Sequence, residues 1–199
     1  MTTMISETLE TVEVIDKIVR INRRIADFWG DSYGWAPSDA ADLLSKARLD
    51  RQVSLSACLR IWLQEPPDDQ KDGHLILAWA NLGTLIEGTM KFFLCVFESD
   101  YSANPVLDKK QNPRDSDELM LETLRQFFLN TVWTNGEKER WGPFVEKVRQ
   151  RRNGIHAYKN RNIGDRKEFQ EAIQDYMDFL SDINATVPYP NPNDYADRL

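Results

Sequence analysis

The sequence predicts an all-α fold, a bundle of five to six helices, on three observations. Apolar residues recur at helical spacing almost throughout. No segment pairs period-two alternation with hairpin turn chemistry. Breaks rich in Pro, Gly, Asn and Asp fall between the periodic stretches.

The first helix is expected over Ile5 to Trp29, with Ile15, Ile18, Val19, Ile21, Ile25 and Phe28 on one face. Gly30, Gly34 and Pro37 end it. A second starts near Ser38, a good N-cap, and stops before Pro66-Pro67. It carries Leu43, Leu44, Ala47, Leu55, Cys58, Leu59 and Trp62. The third, about Asp72 to Ser99, is apolar around most of its circumference and so belongs at the centre of the bundle. Tyr101 to Arg114 reads as a loop. Asp115 with Glu118 predicts a capping box for a fourth helix reaching about Trp133, and Pro143 suits the first position of a fifth. Asp165 with Glu168 caps a sixth, whose face is Phe169, Ile173, Tyr176, Met177, Leu180 and Ile183. The domain is then 1–187, followed by a Pro-rich C-terminal tail, 188–199.

Composition agrees with one globular domain. The 199 residues are 41% hydrophobic and 29% charged, enough for a core without disulfides. The two cysteines, Cys58 and Cys95, lie in apolar stretches with no metal-ligand spacing, so neither a metal nor a cofactor is expected. Leu75 to Phe97 is the best membrane candidate, but Glu87 and Lys91 interrupt it. A buried helix, no membrane and a cytoplasmic location are the expectation.

Charge is where chemistry shows. The net charge of −7 argues against a surface that coats nucleic acid. Yet Glu146 to Lys167 holds eight basic residues against two acidic ones, while the rest holds seventeen basic and thirty acidic. A charge run is ordinarily a solvated face. This one also contains His156, one of two histidines, beside Arg149, Arg151, Arg152, Asn153, Tyr158, Lys159 and Arg161. Imidazole suits general acid–base work at neutral pH, and guanidinium holds phosphate oxygens. Together they suit phosphodiester chemistry. Gly154 in between signals a helix end, a kink or a close approach. On a straight helix Arg152 and His156 lie roughly 40° apart and Arg151 and His156 roughly 140°. A break at Gly154 brings Arg151 into play, and the spacing leaves both open. The other histidine, His74, reads as a surface or capping residue.

At these residues the chain resembles the HEPN superfamily, all-α domains of toxin–antitoxin and phage-defence systems. Arg151 to His156 matches the family's Arg, four residues, His pattern, and Tyr158 extends it to the form with a Tyr two residues on. Glu87 and Lys91 match a secondary feature, a Glu followed four residues later by a basic residue. The family's Arg-Asn pair falls one residue short here, at Arg152-Asn153. Either Arg151 takes the role with Arg152 as its polar follower, or the motif has lost its register. The resemblance implies a metal-independent endoribonuclease with Arg151, Arg152 and His156 catalytic. Arg149, Asn153, Tyr158, Lys159, Arg161, Glu87 and Lys91 would support or bind RNA. It implies an RNA substrate, a homodimer and an antitoxin partner. The alternative is an inactive HEPN-like binding module.

Overall fold

The computed structural model describes residues 2–156 and 158–189, and these form eight α-helices with no strands among them. The helices are α1 (Thr2–Trp29), α2 (Ser38–Lys46), α3 (Leu49–Cys58), α4 (Lys71–Val96), α5 (Glu98–Ala103), α6 (Leu121–Phe127), α7 (Asn135–Arg152) and α8 (Arg166–Thr186). The all-α expectation holds. None of the helices is long and apolar enough to cross a membrane. The tail's residues 190–199 and Ala157 lie outside the described residues.

The higher helix count has two local causes. The stretch expected as one second helix divides at Ala47 and Arg48, whose backbones leave the helical region (ψ 133° and 63°). Ala40, Ala41 and Leu44 of α2 then face the core independently of α3. The second cause is α5, formed where the sequence suggested the end of a helix and the start of a loop. Tyr101 is buried there and donates through its hydroxyl to the Arg114 carbonyl at 2.6 Å, closing the loop that follows.

Two start signals also resolve differently. Asp115 and Glu118 bracket a short 3₁₀ turn, and α6 begins only at Leu121. Leu119, fully buried in extended conformation, diverts the chain before a helix can propagate. Pro143 is inside α7 rather than at its start, because a capping box of Thr134 and Glu137 begins the helix earlier. The proline lies on the exposed face of the helix. The Asp165 cap of α8 holds, its side chain accepting from Glu168 N at 2.8 Å.

The long apolar helix α4 is the hub. It packs against α2, α3, α6, α7 and α8, with Trp79, Leu82, Leu85, Ile86 and Met90 fully buried. Burial of such side chains stabilises by about 1.5–3 kcal/mol each. On the other side α1 packs on α3 and α8, presenting Ile15, Ile18, Ile21, Ile25 and Trp29. Phe28, expected on that face, is half-buried against Trp29 and Trp35. Because α4 touches both α7 and α8, it fixes where the basic segment between them meets the core.

Candidate functional site

The segment singled out by charge is the exit of α7. Val148, fully buried, anchors the last turns, and Arg152 ends the α-helix. Asn153–Ile155 continues as a 3₁₀ turn, with His156 N donating to the Asn153 carbonyl at 3.2 Å. Gly154 is there for a close approach. A Cβ on it would lie 2.8 Å from Ile163 Cγ2 and 3.6 Å from Ile76 Cγ1. The chain after the turn folds back onto α4, where Trp79 Nε1 donates to the Ile163 carbonyl at 2.8 Å.

The adjacent arginines diverge at this exit. Arg151 forms a fork with Glu168 of α8, through Nε at 3.1 Å and Nη2 at 2.9 and 3.1 Å. Its Nη1 donates to the Asn162 carbonyl at 2.7 Å. The fork lies over Gly164, whose φ of 69° and lack of Cβ leave room for it. Arg152 turns the other way, into α4. Its Nη1 donates to Glu87 Oε2 at 3.0 Å, and Lys91 Nζ stands 3.3 Å from Glu87 Oε1. The three side chains are 18–26% exposed, so their charges attract through less than full solvent screening. Gly83 makes the crossing possible, since a Cβ there would stand 2.6 Å from Arg152 Cδ.

Arg149 belongs to a separate, closed cluster between α6 and α7. It reaches Glu146 at 2.7 Å and Glu122 at 2.9 Å, while Arg125 reaches the same two carboxylates at 3.0 Å each. The Arg149 hydrogen bond, with help from Gln150 and Arg125, holds the Glu146 carboxyl down to about 2. Arg125 likewise lowers Glu122, and Glu146 raises Arg149.

The remaining candidates range from open to half-buried. His156 and Lys159 are exposed, Tyr158 completely so, and no ion pair holds any of them among the described residues. Arg161 is partly buried, its Nε without a hydrogen-bond partner among the described residues. Asn153 is half-buried on the turn. His74 lies in the first turn of α4, edge-on to Trp62 at 5.1 Å. Among the described residues no three His, Cys, Asp or Glu side chains converge as a metal site would require.

The structure thus brings Arg152, Glu87 and Lys91 together next to the turn that carries His156, and commits Arg149 and Arg151 elsewhere. Sequence reasoning did not anticipate Glu168, Glu122 and Glu146 as arginine partners, nor Gly83 as the opening for Arg152. A glycine inside an otherwise apolar helix is a signal that could have pointed there. No protein-family model, curated protein or solved structure matches this chain.

Proposed function

We propose that the protein is a metal-independent endoribonuclease of the HEPN type, acting at the exit of α7. The observation that carries the reading is the Arg152–Glu87–Lys91 junction, in which two segments 65 residues apart that separately resemble the family's motifs meet at 3.0 Å. His156, exposed on the adjoining turn, takes the proton of a ribose 2′-hydroxyl. The oxygen attacks the neighbouring phosphorus, the bond to the 5′-oxygen breaks, and a 2′,3′-cyclic phosphate remains. His156 of a second copy protonates the departing 5′-oxygen, which is why the reading includes a homodimer with the two turns facing one cleft. Arg152, oriented by Glu87, stabilises charge on the phosphate oxygens, and Lys91 shares the carboxylate so that it does not neutralise Arg152 fully. Arg151 holds the fork between α7 and α8. Lys159 and Arg161 draw the RNA strand in. An antitoxin that covers this face is part of the same proposal.

A second reading, an inactive HEPN-like binding module, is favoured by one feature. Arg149, Arg151 and Arg152 each already hold a carboxylate, and no side chain among the described residues pairs with His156. Incubation of purified protein with total cellular RNA in EDTA separates the two. Cleavage with cyclic-phosphate ends that disappears in His156→Ala is the expected result, and identical RNA profiles for both proteins would favour the module.

A further inference from the structure

The corner between α2 and α3 opens over α4 into a cavity of about 240 Å³ that shares one lining residue, Lys91, with the junction at the α7 exit. That exceeds the roughly 150 Å³ that holds benzene and falls below the roughly 300–1,000 Å³ of sites for drug-sized ligands. Its walls are apolar, from Ile25, Leu43, Leu44, Leu49, Phe92 and Leu180. Its polar floor is already satisfied internally. Gln52 Nε2 donates to the Leu85 carbonyl at 2.7 Å, and the Thr89 hydroxyl meets that of Tyr176 at 3.1 Å. A ligand therefore gains little by bonding the floor, and specificity falls to the rim.

The rim is cationic. Lys46, Arg48 and Lys91 line it against one acid among the described residues, Asp117. Arg48 is occupied by Asp50 at 2.6 Å. Lys46, by contrast, has no ion pair among the described residues, and Lys91 stands 3.3 Å from Glu87, whose other oxygen accepts from Arg152 at 3.0 Å. One ammonium without an ion pair among the described residues, Lys46, and a second that shares Glu87, Lys91, thus stand above an apolar chamber. The Cys95 thiol on the wall is no nucleophile, since burial pushes it up to about 12, so a guest is held without a covalent bond.

We propose that this cavity is a binding site for a small amphipathic monocarboxylate, its apolar body between α2 and α4 and its carboxylate between Lys46 and Lys91. The assignment does not rest on any chemistry at His156.

The probe is octanoate, with 1-octanol as the uncharged chain of the same length, titrated into the full-length protein by calorimetry and by amide NMR. Octanoate is expected to bind one to one, with the largest shifts at Ala47 and Gly88. Octanol is expected to bind about tenfold more weakly, as loss of a charge-assisted contact requires. Lys46→Ala and Lys91→Gln should each weaken octanoate about tenfold and leave octanol unchanged. Ala47→Phe, which fills the chamber, should remove both. Lys46 is exposed, so its variant keeps the test valid if the filled chamber does not fold. Equal affinities for octanoate and octanol, shifts scattered outside the cavity, or no binding at all would overturn the proposal.

Discussion

Two clusters of arginines lie along α7 within a few residues of each other, and they are built on opposite plans. The Glu122–Arg125–Glu146–Arg149 cluster is closed: two acids and two bases, every carboxylate held by both arginines, stitching α6 to α7. The cluster at the exit is open. Arg151 and Arg152 each have one acid, on different helices, and His156, Lys159 and Arg161 follow without ion pairs among the described residues. A closed network suits stability, because its charges satisfy one another whatever approaches. An open one leaves positive charge for a ligand. One stretch of basic sequence therefore divides into a structural half and a candidate functional half.

The sharpest way to break that comparison is at the open end. His156→Ala should reduce RNA cleavage by about 10²–10⁴-fold, the ordinary contribution of a general acid–base group. Its melting temperature should be unchanged, because the side chain is exposed and makes no ion pair among the described residues. Equal loss of stability and cleavage would mean that the histidine is structural.

The two adjacent arginines should then separate by readout. Arg152→Ala should cost cleavage about 10²-fold, as loss of one oriented donor does. Arg151→Ala should cost stability instead, about 1–3 kcal/mol by urea unfolding, by leaving the partly buried Glu168 without its fork. Its activity per folded molecule should stay near the parent's. The opposite pattern would assign the phosphate-facing role to Arg151.

That pair shows how far sequence carried. The all-α class, the central position of Leu75 to Phe97 and the Asp165 cap were legible because each depends on local period or a neighbouring residue. Which acid Arg151 and Arg152 each pair with was not, since helical angles predict where a Cβ points and not which distant acid will claim the side chain. Glu87 lies 65 positions away from Arg152, and only the packing of α4 on α7 brings it within reach. The division of the second helix was hidden for a similar reason. Ala47 and Arg48 are not breakers by composition, and the break answers to tertiary demand on Leu44 and Leu59, both fully buried.

The closed cluster should announce itself in acid. Glu146 is held near 2 from an ordinary 4.5, chiefly by Arg149. A depressed carboxyl stabilises the fold above its unfolded value, and that contribution disappears as pH falls from about 4.5 to about 2. Urea unfolding across that window should lose about 1–2 kcal/mol through this group, since its side chain is 26% exposed and partly screened. Glu146→Gln should flatten the acid limb while leaving the RNA reaction at neutral pH untouched. Were the slope the same in both proteins, the cluster would not be the closed network described.

The mildest test removes no charge. Gly83→Ala would put a methyl carbon 2.6 Å from Arg152 Cδ, so the side chain must shift away from Glu87. Replacing a mid-helix glycine by alanine otherwise favours the helix by roughly 1 kcal/mol, which offsets the lost contact. Stability should therefore change little, within about 1 kcal/mol. Cleavage should fall about fivefold, because a displaced guanidinium no longer meets the phosphate at the geometry Glu87 sets. A displacement of Arg152 without loss of cleavage would show that its charge matters and its position does not. The exit would then act as an electrostatic patch, with no oriented donor in it.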